Sequence, residues 1–246
     1  MIPLLDIPEI VQHYAPYFRW VFSEAAFLQF QRYISGLIVS ENKTIEGINR
    51  LFVLETRNQS SLNRLLRESP FSVEALNEAR LHLLEDQPET RIKARGVLSV
   101  DDTLLSHYGR CFEQITWLYD PALRCHRWAH NLVGLHYSDE QTDYPMGFCL
   151  WKPADLDWIE SGLRAAGVPI KASKEVLKQD DPKKWRPYLL GLWRRKQNKA
   201  EVKRLYKSKL VLAEELLRGF VAVHPAAKLP VAFDSWRRAA GLLPHD

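Results

Sequence analysis

Long apolar runs are missing from this sequence of 246 residues. Nothing in it approaches the roughly 20 consecutive apolar residues that a membrane-spanning helix requires. The start, Met1-Ile2-Pro3-Leu4-Leu5-Asp6, has no basic segment leading into an apolar one, so a cytosolic protein without membrane contact is expected. Cysteine is scarce. Cys111, Cys125 and Cys149 are odd in number, widely spaced and without a Cys-x-x-Cys pair, which supports neither a disulfide framework nor a zinc finger. Phosphate-cradling and nucleophile motifs are lacking too: there is no Gly-x-x-x-x-Gly-Lys, Gly-x-Gly-x-x-Gly, Gly-x-Ser-x-Gly or His-Glu-x-x-His. The nearest approach, Gly162 to Gly167, continues into Val168 instead of lysine. NTPase, dinucleotide-dependent and serine-hydrolase chemistries fall away. A hydrophobic content of 46% nevertheless provides for a real core in one large domain or two ordinary ones.

The formal charge of +4 is unevenly distributed. Residues 171–209 hold 14 basic and 4 acidic side chains, net +10, whereas residues 1–93 are net −2. A basic stretch with Trp185, Tyr188, Trp193 and Tyr206 interleaved suits a nucleic-acid backbone, because lysine and arginine release counterions from phosphates and aromatic rings can stack on exposed bases. The residues expected to make such contacts are Lys183, Lys184, Arg186, Arg194, Arg195, Lys196, Lys199, Lys203 and Arg204. The alternative is a solvated helix surface with its aromatics turned into the core.

Residues 1–93 read as helical, with no glycine between Gly47 and Gly96. Ser40 is a candidate cap for a helix carrying Ile45, Ile48, Leu51 and Phe52; a second helix is expected from residues 58–61 to Ser69-Pro70, and a third after Ser72. Three short helices suit a helix-turn-helix bundle, with Asn63, Arg64 and Arg67 available to a DNA groove; a helical bundle with solvated arginines is the alternative. After Gly96 the pattern becomes strand-like at residues 97–100, 111–119, 125–137 and 146–151, with turns at Asp120-Pro121 and Asp143-Tyr144-Pro145. A helix is expected over residues 198–219, with Gly219 as its stop, and then one more strand. This order of elements points to an α+β protein. His126 and His130, four apart, fall on one side of a strand, a poor arrangement for zinc.

Two apolar runs end in aspartate: Val97-Leu98-Ser99-Val100-Asp101-Asp102-Thr103 and Pro230-Val231-Ala232-Phe233-Asp234-Ser235-Trp236. Carboxylates at the ends of adjacent strands would present oxygen ligands to a divalent ion, and paired ions of that kind drive phosphodiester chemistry. Asp-Asp-Thr after a strand also serves as a plain turn or cap. His107, five residues beyond Asp102, is a candidate neighbour of such a site.

Together these segments resemble a DDE-type transposase of bacterial insertion sequences. Asn58-Gln59-Ser60-Ser61-Leu62-Asn63-Arg64-Leu65-Leu66 is similar to the family's amino-terminal helical region, Val100-Asp101-Asp102-Thr103 to its first catalytic motif, and Phe233-Asp234-Ser235-Trp236 to its second. The stretch Ala129-His130-Asn131-Leu132-Val133-Gly134-Leu135-His136-Tyr137 is similar to the segment that these proteins carry after the first motif. The resemblance implies a helical DNA-binding domain over residues 1–93 and a ribonuclease-H-like core over residues 94–246. It also implies Asp102 and Asp234 as catalytic ligands of Mg2+ or Mn2+, with Asp101, Thr103 and His107 as neighbours. Double-stranded DNA, both element ends and target, would be the substrate, and a homodimer acting at the nucleoid would carry out cleavage and strand transfer. The family's third carboxylate, a glutamate well beyond the second aspartate, has no counterpart in the residues after Asp234. The expectation is therefore a truncated, weakly active or inactive copy, or alternatively a non-catalytic DNA-binding regulator or remnant.

Overall fold

The computed structural model describes residues 3–53, 58–109 and 111–233. The chain divides into two compact units, residues 1–92 and 93–246.

The first unit is helical: α1 (Glu9–Tyr14), a 3-10 segment (Ala15–Val21), α2 (Glu24–Val39), α3 (Ile45–Asn49), α4 (Ser60–Arg67) and α5 (Val73–Asp86). Serine and threonine start three of these helices, because a side-chain oxygen takes up a free amide of the first turn. Ser23 accepts from Ala26, Thr44 from Gly47 and Ser72 from Ala75. Ser40 is not the cap that the sequence suggests. It closes α2, its amide donating to the Gly36 carbonyl, and the chain needs four more residues before Thr44 opens α3. Phe27, Phe30 and Leu65 are buried at the centre, with Phe18, Phe22 and Phe71 packed around them. Gly36 lets α3 come close, since a Cβ there would stand 2.2 Å from Ile48.

Among the described residues, the second unit is built on a mixed sheet of five strands: β1 (Val97–Ser106), β2 (Thr116–Asp120), β3 (Cys125–Ser138), β4 (Asp143–Trp151) and β5 (Val231–Phe233). β1 pairs antiparallel with β3 and parallel with β5. The 14 residues of β3 are enough to hold β2 along its first half and β4 along its second, both on the edge away from β1. Its alternation explains its central position: Ala129, Asn131, Val133, Leu135 and Tyr137 are all buried. Helix α11 (Lys209–Val223) packs on β3 and β4 and buries Leu212, Ala213 and Phe220. The α+β class thus agrees with expectation, and among the described residues the strands run β4-β3-β1-β5 with only β5 parallel.

Several boundaries differ from the sequence reading. β1 runs six residues past Val100, because pairing with β3 continues to Ser106, so Asp101 and Asp102 lie within a strand instead of ending it. β2 starts at Thr116, not at residue 111. The turn before β4 is Asp139 to Thr142, where Asp139 Oδ1 accepts from the amides of Gln141 and Thr142. Residues 143–145 are already strand, and Pro145 is accommodated on the edge strand beside a register shift at Leu135/His136. The helix expected over residues 198–219 is two helices, α10 (Ala200–Lys203) and α11, and Gly219 lies inside the second.

Between β4 and α11 comes a helical insert: α6 (Leu156–Ala165), α7 (Ala172–Glu175), α8 (Leu177–Asp180), α9 (Pro182–Arg195) and α10. It has its own core of Ile159, Leu163, Trp185, Leu189, Trp193 and Val202, with Tyr188 and Tyr206 against it. Trp185 and Trp193 are therefore buried and not available to stack on bases, while Tyr188 and Tyr206 pack partly buried against the same core. Trp193 Nε1 even donates to the Val202 carbonyl at 3.0 Å. The reason lies in the spacing: Trp185, Leu189, Leu192 and Trp193 stripe one side of α9 at intervals of three and four, leaving the cations to the other.

Candidate active site

In β1 the side chains alternate, which sends Leu98, Val100 and Asp102 to the face covered by α11 and Asp101 and Thr103 to the opposite one. Asp102 is partly buried, with 19% of its side chain exposed. Its Oδ2 accepts two bonds, from Lys209 Nζ at 2.6 Å and from Asn131 Nδ2 at 3.0 Å. Lys209 is the first residue of α11, presented by the Ser208 cap. Its ammonium also lies 4.6 Å from the centroid of the Trp151 ring, within cation–π reach. Trp151 is fixed by cross-strand pairing with Asn131 and by donating from Nε1 to the Tyr206 hydroxyl at 3.2 Å. Burial pushes the Tyr206 hydroxyl up from its ordinary value.

Asp102, Asn131, Trp151 and Lys209 border a cleft of about 790 Å³ that reaches to the turn after β2, at Asp120 and Pro121. Asp120 is committed to that turn, its Oδ1 accepting from the amides of Ala122 and Leu123.

Asn131 is only 3% exposed, and its Oδ1 is buried without a hydrogen-bond partner. A carboxylate with an unsatisfied amide oxygen beside it is a set of hard donors, which suits a divalent ion such as magnesium. The residues at hand fit such an ion in part. Among the described residues no group of three or more His, Cys, Asp or Glu side chains converges on one point.

Asp234 lies outside the described residues. The strand that leads to it is described: Phe233 of β5 pairs with Val100 of β1, two positions before Asp102. Asp101 is exposed and its Oδ1 accepts from the Asp102 amide. His107 continues the ladder, its amide donating to the Trp128 carbonyl, and its ring is 2.9 Å from Nδ1 of His130. His130 pairs across from Leu105 and so shares the face opposite Asp102. The structure thus gives His107 a partner in His130 and not in Asp102. His130 Nε2 donates to the Glu113 carbonyl at 2.6 Å, and His126 stacks on Trp117, so the histidines of β3 have structural partners.

The basic candidates are exposed. Lys183, Lys184, Arg186, Arg194, Arg195, Lys196, Lys199, Lys203 and Arg204 all face solvent on the insert, while Lys184 also pairs with Asp181 and Lys199 with the Ala166 carbonyl. In the first unit, Arg64 and Arg67 are exposed on the side of α4 away from buried Leu62 and Leu65, and Asn63 is half-buried.

Three members of the site escaped the sequence reading: Asn131, Trp151 and Lys209. Only Asn131 left a signal, as an amide at a core position of an otherwise apolar alternation.

Residues 18–236, most of the chain, match the family model described as DDE superfamily endonuclease. Neither a comparison with curated proteins nor one with solved structures finds a match.

Proposed function

This chain belongs to the DDE superfamily of endonucleases, and from that premise we propose that it is an insertion-sequence transposase that cuts and joins double-stranded DNA using Mg2+ or Mn2+. The observation that carries this reading is the parallel pairing of β1 with β5, which sets the strand bearing Asp102 beside the strand that Asp234 follows in sequence. Asp102 and Asp234 are proposed as the metal ligands, with the neutral Asn131 amide beside Asp102.

When bound, the metal would lower the cost of charge on the attacking and leaving oxygens of a phosphodiester. The protein's own contribution is positional. Pairing with β3 holds the Asp102 backbone, β5 braces the same strand as far as Val100, and Asn131 orients the carboxylate. The cations of α9 and α10, and Arg64 and Arg67 of α4, would neutralise phosphates of the DNA backbone. Joining two element ends calls for two copies of the chain, so a homodimer at the nucleoid is part of the proposal.

The test is nicking of supercoiled plasmid by the full chain in Mg2+ and Mn2+, beside Asp102→Asn and Asp234→Asn. Metal-dependent nicking lost in both variants supports the reading. Nicking that survives in both would sink it. DNA binding without nicking in either metal would favour a non-catalytic DNA-binding protein instead.

A further inference from the structure

We propose that Lys209 is a displaceable cation of the Asp102 site: its ammonium holds the carboxylate until a divalent ion arrives and then turns to a phosphate of the bound DNA. This inference rests on the reading of Asp102 as a metal ligand.

Three observations lead to it. Lys209 Nζ, 2.6 Å from Oδ2, stands where an ion ligated by that oxygen would have to be. Oδ2 already accepts from Asn131 Nδ2, so it has no capacity for a third cation-like partner at full strength. Asn131 Oδ1 is buried and unpartnered, an oxygen in the same cluster that no described group satisfies.

An ammonium and a divalent ion cannot share one carboxylate oxygen, since both carry positive charge and would approach within a few ångströms of each other. One must leave, and lysine is suited to leaving. Its charge is compact and sits on a flexible four-carbon stem, so Nζ can move while the backbone of α11 stays put. The Trp151 face, 4.6 Å away, gives the released ammonium a favourable surface to travel along. The opening beyond is the cleft, and a phosphate oxygen of DNA bound there would offer the ammonium a charge-assisted hydrogen bond. A half-turn of the Asn131 amide would offer Oδ1 to the incoming ion. Metal and DNA therefore bind cooperatively: the ion releases the cation that the DNA uses, and by linkage DNA favours the ion.

The test uses the full chain with Mn2+ alone, followed by electron paramagnetic resonance of the free ion. Lys209→Met removes the charge at similar length and should bind Mn2+ about tenfold more tightly, as expected when a like charge is taken from a binding site. Lys209→Arg keeps the charge and should stay near the parent. With Ca2+ as a non-cleaving ion, affinity for a short duplex should rise in the parent and not in Lys209→Met, whose salt slope should fall by about 0.9. A second readout needs no variant at this position: acetylation of Lys209 in the parent chain, mapped by mass spectrometry, should increase when Mg2+ is added.

Unchanged or weaker Mn2+ binding by Lys209→Met overturns the inference, and so does acetylation indifferent to Mg2+ should that variant fail to fold. Asp102→Asn separates the two levels. If it leaves Mn2+ binding intact, the metal-ligand reading fails and this inference with it. If it abolishes Mn2+ binding while Lys209→Met changes nothing, only the role of Lys209 is wrong.

Discussion

Val100 and Phe233 face each other in parallel register, although 133 positions separate them in the chain. Nothing local forces that pairing. It arises because β1 has one edge taken by β3 and offers the other to a strand arriving after α11.

The pairing defines the first expectation. Asp102→Asn keeps the side chain's shape and its neighbours, so β1 should still pair and the melting temperature should shift little. Plasmid nicking should fall on the order of a thousandfold, the consequence of losing several kcal/mol of metal-assisted stabilisation. A parallel fall in melting temperature and nicking would mean that the variant misfolds instead of losing a ligand.

Asp139 gives an expectation in pH. The amide of Gln141 holds its carboxyl well below its ordinary value near 3.8, helped by bonds from the Tyr137 hydroxyl, the Thr142 amide and Lys93, and opposed by burial. A carboxyl depressed in the folded state adds stability that is fully present above its unfolded value and is lost as pH falls through the folded one. Asp139→Asn should therefore melt below the parent by a constant margin above about pH 5, and that margin should shrink below about pH 4. Melting curves from pH 7 to pH 2.5 will show it. A margin that is flat throughout would mean that the carboxyl's charge is not what closes this turn. Tyr137→Phe, which removes both the bond to Asp139 and the hydroxyl that accepts from the Lys93 amide at 2.8 Å, should narrow the pH-dependent margin too.

Much of this fold is legible in residue patterns, and the failures have physical causes. The alternation in β3 and the serine before α5 are local signals, and both hold in the structure. The ends of β1 and β4 deceive because turn-forming residues, Asp101-Asp102 and Asp143-Tyr144-Pro145, are held extended by cross-strand pairing that single-chain patterns do not display. Asp102 is legible from its apolar approach. Lys209 is not, since a lysine at the end of a basic stretch looks like all the others, and its partner lies 107 positions away. The aromatics of the insert are ambiguous in sequence between stacking and burial, and a helical stripe resolves them in favour of burial.

Arg194 and Arg195, exposed in the last turn of α9, yield an expectation for DNA affinity. Removing one phosphate-binding cation should reduce the salt slope by about 0.9. Changing both arginines to alanine should weaken binding to any sequence alike and lower the slope by up to about 1.8, if both touch phosphate. Fluorescence anisotropy over a salt series measures it, and an unchanged slope would remove α9 from the interface.

Trp193 separates the core from the interface. Its ring is 3% exposed among Ile159, Leu163, Leu189 and Val202, and its indole nitrogen satisfies the Val202 carbonyl. Trp193→Ala should cost about 3–5 kcal/mol of stability, the usual penalty for emptying a packed aromatic site. Urea denaturation followed by circular dichroism would report it directly. Under conditions where the variant remains folded, its affinity for single-stranded and duplex DNA should match the parent's. A base-stacking residue would behave in the opposite way, leaving stability nearly intact while affinity for single strands dropped by about 1–3 kcal/mol. Because the two roles predict opposite patterns, one variant with two measurements decides whether the aromatics of the basic stretch hold the insert together or read DNA.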